Sequence, residues 1–277
     1  MAHNNTQNKE IFFHVGTAKT GSTFLQYRVF PKFKGLYYIQ RTRFRRVDKI
    51  IANCKDDKIL VSAEFDQQFE DEVSKFGSKY PNTTAIVVFR RHDSYIASQY
   101  RRFVKNGFTG SFKEFFDLEN DQGYFRQLDL DYMRMIRLLE EHFNKPPMVL
   151  FYDDMFKDSR TFIEQLTNAL NVELNYDQLN LSKKHTSYNE KQLKGMQAMG
   201  KRINLKKRRI FKNGVLHFLS RLYLGAIRYS TLHISKLLPN SWFSNTPLID
   251  KVELEAVKEA YSQDWQSVKD YVEQRNK

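Results

Sequence analysis

Residues Ile11–Gln26 read IFFHVGTAKTGSTFLQ. Ile11–Val15 is a short, mostly apolar run of the length a buried strand takes. A turn rich in Gly, Ser and Thr follows. The spacing then predicts a helix over Thr20–Phe30, stopped by Pro31. A strand, turn and helix in this order make a seat for an anion. The first N–H groups of a helix have no intrahelical partner and carry the positive end of its dipole. Gly16 and Gly21 let the backbone come close to a phosphate. Thr20, Ser22 and Thr23 supply hydroxyl donors, and Lys19 supplies a point charge inside the loop.

Two other readings of the loop compete. One is an ordinary connection between strand and helix. The other is the triphosphate loop, G-x-x-x-x-G-K-[ST]. Gly16 and Gly21 have its glycine spacing, but the position after the second glycine holds Ser22 rather than lysine. The lysine stands three residues earlier, which counts against an ATPase or kinase.

Outward from the loop, short apolar runs alternate with helical stretches, which argues for βαβ units and a mainly parallel sheet. Strands are predicted over Leu36–Ile39, Ile59–Ser62, Ala85–Phe89 and Met148–Tyr152. Helices are predicted over Phe65–Phe76, Ser94–Asn106, Tyr124–Phe143, Arg160–Leu170 and Asp250–Gln274. After about Leu181 the strand signal fades. The expectation is a single domain over 1–277, with an α/β core over 1–180 and a helical region over 181–277.

The chain has 277 residues, 41% hydrophobic and 14% aromatic, enough for a sizeable core. Its formal net charge of +13 favours anionic partners: nucleic acid, an anionic membrane face or a phosphorylated cofactor. Cys54 is the only cysteine, so no internal disulfide can form, in keeping with a reducing compartment. The start, MAHNNTQNKE, is polar, and no apolar run reaches the roughly 18–20 residues that span a bilayer. A cytoplasmic protein is expected, with possible contact at the inner membrane face.

Two further segments carry chemistry. AIVVFRRHDSYIASQYRRF, from Ala85 to Phe103, runs from a strand into a helix, with Arg90 at the turn and Ser98 eight residues on. An arginine fork pairs with phosphate oxygens in a bidentate way, and a hydroxyl can close the other side. Taken alone, Arg90 and Arg91 read equally as solvated charges. MVLFYDDMFKDSRTFIEQLTNALNV, from Met148 to Val172, places Tyr152, Asp153 and Asp154 at a strand end. Adjacent residues there tend to point opposite ways, which disfavours a carboxylate metal pair.

Together these segments resemble the sulfotransferases that use 3′-phosphoadenosine 5′-phosphosulfate (PAPS). The family's loop, Lys-[Ser/Thr]-Gly-[Ser/Thr]-Thr, stands here as Lys19-Thr20-Gly21-Ser22-Thr23, with Ala18 where the family usually has proline. The resemblance covers roughly Ile11–Val172, with a weaker echo over Ala260–Tyr271. It implies a P-loop-like sulfotransferase fold, a central mainly parallel sheet flanked by helices. It implies that Lys19, Thr20, Gly21, Ser22 and Thr23 hold the 5′-phosphosulfate, that Arg90 and Ser98 hold the 3′-phosphate, and that Tyr152 lies near the adenine. PAPS would be the donor, 3′-phosphoadenosine 5′-phosphate (PAP) the product, and no metal would be needed. The Asp-Pro or Asn-Pro that often follows the family's arginine is replaced by Arg91-His92-Asp93, so Arg91 is a second candidate for the phosphate.

The reaction also needs a base. Glu64, in KILVSAEFDQQF, is the first choice, because many glycan and lipid sulfotransferases carry Ser-x-Glu there. It reads equally as a carboxylate favouring the dipole of the next helix. His14 and His92 are the other candidates, and His14 is more often a packed strand histidine. The acceptor expected is a hydroxyl or amine on a carbohydrate or lipid-linked glycan. Arg41–Arg46 (RTRFRR) and Lys201–Lys212 (KRINLKKRRIFK) read as a solvated face, a nucleic-acid surface, an acidic-acceptor channel, or an anionic-membrane contact with Val215–Leu238 as an interfacial helix. Nucleic acid ranks last. Lys183, Lys184 and His185-Thr186-Ser187-Tyr188 could close the donor site. The competing functions are a nucleotide kinase or NTPase, and a non-catalytic binding protein on the same fold.

Overall fold

The computed structural model describes residues 9–180, 188–205 and 211–275. In chain order its elements are β1 (Glu10–Gly16), α1 (Ser22–Phe24), β2 (Tyr37–Ile39), α2 (Val47–Asn53), β3 (Lys58–Glu64), α3 (Phe69–Gly77), β4 (Thr84–Phe89), α4 (His92–Lys105), α5 (Phe112–Phe115), α6 (Tyr132–His142), β5 (Met148–Phe151), α7 (Tyr152–Lys157), α8 (Ser159–Leu170), α9 (Glu190–Arg202), α10 (Gly214–Leu237), α11 (Lys251–Ala260) and α12 (Ser262–Arg275). Two compact units emerge. The first takes in the described residues of Met1–His92, Leu128–Ser182 and Tyr261–Lys277, and the second those of Asp93–Gln127 and Lys183–Ala260. Residues 93–127 thus belong with the C-terminal helices, and α12 belongs with the sheet.

The first unit is built on a five-stranded sheet in the order β2-β3-β1-β4-β5, with every pairing parallel. The expected α/β sheet is therefore present. Its strands are continuous apolar runs because both faces are covered, as parallel sheets require. Alternation along β1 sends Ile11, Phe13 and Val15 into one core with Phe76, Tyr132 and Ile136. Phe12 goes to the opposite face, with Phe30, Phe162, Ile163 and Leu166. Each fully buried side chain of this size contributes about 1.5–3 kcal/mol.

Several helix boundaries depart from the sequence expectation, and the causes are local bonds. The helix expected over Thr20–Phe30 begins at Ser22, because Gly21 takes a left-handed conformation just before it. It then widens into a π-helical turn over Leu25–Val29, closed by Phe30 N–H donating to the Leu25 carbonyl. Pro31 has no N–H with which to continue α-type bonding. The helix expected from Tyr124 starts at Tyr132. Leu128, ahead of that start, is 52% exposed.

Two carboxylates fix that start. Asp131 accepts from the Arg134 N–H, and Asp264, from α12, accepts from the Tyr132 and Met133 N–H groups at 3.1 Å each. The helix expected over Asp250–Gln274 is two helices broken at Tyr261. Tyr261 stacks on His92 with ring centres 4.7 Å apart, and His92 Nε2 is 2.9 Å from Asp264 Oδ2. Asp264 therefore caps α6 and holds α12 to the sheet at once.

The second unit is helical. Tyr100, Phe103, Phe108, Phe115, Tyr124 and Phe125 form an aromatic cluster in it. α9 and α10 pack closely, with Gln192 Nε2 donating to the Leu232 carbonyl. A Cβ on Gly195 would lie 1.9 Å from Ser235 Oγ, so only glycine permits this approach.

Burial opposes ionisation of Asp264, but the bonds from His92 and the two N–H groups outweigh it and hold its carboxyl below the usual range. A depressed carboxylate stabilises the fold above its unfolded pKa of about 4 and loses that stabilisation as pH falls through the folded value. Asp264→Ala should cost about 1–3 kcal/mol, the penalty of leaving buried donors unpaired. Thermal melts at several pH values should show the gap to wild type at neutral pH and its closing in acid.

Candidate functional site

The switch in connection lies at the centre of the sheet. The chain leaves β1 toward β2 and β3 on one side, and after β4 it continues to β5 on the other. Open α/β sheets bind ligands outside the strand carboxyl ends at such a point. The sequence-predicted loop sits there, directly after β1.

Lys19 (φ 74°) and Gly21 (φ 84°) are both left-handed. For lysine this costs about 1–2 kcal/mol, so the surrounding bonds must hold it. Thr20 Oγ1 donates to the Thr17 carbonyl at 2.7 Å, and Ser22 Oγ donates to the same oxygen at 3.2 Å. The Ala18 N–H donates to Asp66 Oδ1 at 3.1 Å. Both hydroxyls are buried and shape the loop from inside, while Lys19 and Thr23 are exposed. The first helical bonds run from Phe24 and Leu25 N–H to the Gly21 carbonyl. The Ser22 and Thr23 N–H groups thus precede the bonded turn and face off the helix start.

Arg90, which follows β4, crosses to this loop. Its Nη1 donates to the Lys19 carbonyl at 3.2 Å, and its guanidinium lies over the Tyr152 ring, 4.5 Å from the centre. Tyr132 fixes Arg90 from behind, its hydroxyl donating to the Arg90 carbonyl at 2.7 Å. Tyr152 and Met155, which follow β5, press against the loop. A Cβ on Gly21 would lie 2.7 Å from Met155 Sδ and 3.6 Å from Tyr152 Cδ2. Lys19, Gly21, Arg90 and Tyr152 are therefore brought together, although 133 positions separate Lys19 from Tyr152. Ser98 lies half-buried on α4, in the second unit.

The three candidate bases differ sharply. His92 is buried between Tyr132 and Tyr261 and bonded to Asp264, so it is a packing residue. His14 is fully buried on β1. Its Nδ1 is 2.8 Å from Ser62 Oγ, which also accepts from Gln26 Nε2 at 3.0 Å. Burial lowers the His14 pKa to about 4, so the ring is neutral at pH 7. It lies beneath the loop: a Cβ on Gly16 would sit 3.0 Å from both His14 Cε1 and Ser22 Oγ. Glu64 ends β3, in register with Gly16 of β1, and pairs with Arg41 Nη1 at 2.6 Å. Of the three it alone stands at a strand end beside the loop and partly open to solvent.

Sequence reasoning missed Asp66, Tyr132, Met155 and Arg41. Asp66 lies two residues past Glu64, and Arg41 belongs to the RTRFRR run, but neither pattern names a partner. Asp153 and Asp154 are exposed, and no group of three or more His, Cys, Asp or Glu that could hold a metal occurs among the described residues. Lys183, Lys184, His185, Thr186 and Ser187 lie outside the described residues, as do 206–210 of the basic run. A groove of about 700 Å³ along β5, bordered by α8 and α12, contains none of the predicted site residues.

The parallel five-stranded sheet with its flanking helices has the fold of solved sulfotransferases. The sulfotransferase from Alicyclobacillus acidocaldarius matches with a TM-score of 0.52 at 14% identity, covering 69% of this chain and 92% of that one. Mouse sulfotransferase SULT7A1 complexed with PAP matches with a TM-score of 0.41 at 17% identity, over 61% of each chain. At such identities the likeness is one of fold. No family model and no curated protein matches the sequence.

Protonating His14 inside the fold is harder than in the unfolded chain. Its stabilising effect is full above its unfolded pKa of about 6.5 and is lost as pH falls toward 4. The wild type should lose roughly 3 kcal/mol across that window from this group alone. His14→Gln should flatten this slope in denaturant unfolding measured from pH 7 to pH 4. An unchanged slope would contradict the neutral assignment.

Proposed function

We propose that the chain transfers a sulfuryl group from PAPS to a hydroxyl, or an amine, of a carbohydrate or lipid-linked glycan. The observation that supports this best is the meeting of the Lys19 loop, Arg90 and Tyr152 at the carboxyl ends of β1, β4 and β5. A triphosphate site would want a lysine after Gly21. A donor with a separate 3′-phosphate wants a second cation on a neighbouring strand, and Arg90 has that position.

In this reading the Ser22 and Thr23 N–H groups hold the 5′-phosphate and Lys19 stands beside the bridging oxygen. Arg90 takes the 3′-phosphate, and Tyr152 packs near the adenine. The acceptor oxygen attacks sulfur in line. The bond from sulfur to the bridging oxygen breaks, the electron pair leaves with PAP, and the acceptor proton passes to Glu64. Lys19 stabilises the charge that grows on the leaving phosphate. The ion pair with Arg41 holds Glu64 in place for this role. The basic surface supports work in the cytoplasm beside an anionic membrane face, where a lipid-linked acceptor is displayed.

Release of PAP from PAPS, measured with a panel of glycan acceptors, tests this. Lys19→Ala should slow turnover about 10²–10³-fold, the cost of removing one charge stabiliser. Glu64→Gln should slow it about 10²-fold or more while PAPS still binds. Wild-type turnover by Lys19→Ala would overturn the donor-loop assignment, and an unchanged rate in Glu64→Gln would remove Glu64 as the base.

A further inference from the structure

The inward side of α10 is mixed: Arg228, Thr231, Leu232 and Ser235 are buried, and Ser220, Leu224 and Ile227 are half-buried. Arg228 is only 7% exposed and donates to the Leu205 carbonyl at 2.5 Å. The outward residues are large and apolar. Phe218 is 59% exposed, Leu222 56% and Leu237 84%, and Val215, Leu219 and Tyr223 share their side. At 100° per residue these outward positions fill an arc of roughly 140°, with Lys236 on its edge in line with Phe218 and no Arg, Asp or Glu in it. Its large members gather in nine residues, Val215–Tyr223, about 13 Å of a 24-residue helix, with Tyr229 and Leu237 further along the same side. Just past its end Trp242 is exposed as well.

The sequence on either side of this face carries charge of one sign. Between Lys201 and Ile249 there are ten Lys or Arg and no Asp or Glu, against a net charge of +13 for the whole chain. Arg221 and Lys236 flank the apolar arc. A second copy of this chain is a poor occupant, because a symmetric contact would bring two such segments together. No helix among the described residues is long and apolar enough to cross a membrane. An apolar stripe bordered by cations suits a helix lying in the plane of an anionic bilayer surface, its apolar side chains sunk among the acyl chains and its cations at the headgroups.

We infer that the outer face of α10 is a membrane-docking surface for anionic lipid, with the helix axis parallel to the bilayer. The inference does not rest on the sulfuryl-transfer reading, because every residue it uses lies in the second unit.

The test is co-sedimentation of the full chain with vesicles of phosphatidylcholine, alone or mixed with phosphatidylglycerol. Wild type should partition onto the mixed vesicles, at least about tenfold more than onto the neutral ones, and added salt should release it. Phe218→Glu with Leu222→Glu should lose at least about tenfold in partitioning without changing the melting temperature, since both side chains are exposed. Lys212→Ala with Arg221→Ala keeps the apolar face and should lose the preference for the anionic mixture. Equal partitioning of wild type and the Glu variant would overturn the inference. So would a wild-type dimer in light scattering that the Glu variant dissociates while vesicle binding is absent, which would make the face a contact between copies.

Discussion

The bond from Arg90 to the Lys19 carbonyl ties the end of β4 to the loop after β1. Much of the candidate site follows from it. It helps hold Lys19 in a left-handed conformation that a lysine avoids when free. It fixes the guanidinium over Tyr152 and so draws in the residue after β5. The sheet makes this possible, because its connection switches at β1 and leaves the carboxyl ends of β1 and β4 side by side. A loop with the same sequence on an edge strand would lack Arg90 beside it.

The strands were legible because each is a short apolar run covered on both faces, and such runs need no partner to be recognised. Helix starts were less so. α6 begins where Asp264 caps it, 132 positions along the chain, and no local pattern can carry that information. The break at Tyr261 has the same origin, in a stack on His92. The loop after β1 stood out for the opposite reason: its charge, its glycines and its hydroxyls are contiguous. The base did not, since His14, His92 and Glu64 are separated only by what surrounds them. The structure buries His92 between two tyrosine rings and His14 beneath the loop, and both placements are tertiary.

Arg41 pairs with Glu64 at the end of β3, so the RTRFRR run meets the strand end beside the loop. In the second unit, Arg228 on the inner side of α10 is buried and donates through Nη2 to the Leu205 carbonyl.

The central claim is that the loop and Arg90 together form a site for a nucleotide carrying a 3′-phosphate. Titration calorimetry with PAP beside ATP, on wild type and on Arg90→Ala, addresses it most directly. The account predicts tight binding of PAP, weak binding of ATP, and loss of that preference in the variant. Equal affinity for the two nucleotides, or a preference that survives removal of Arg90, would contradict it.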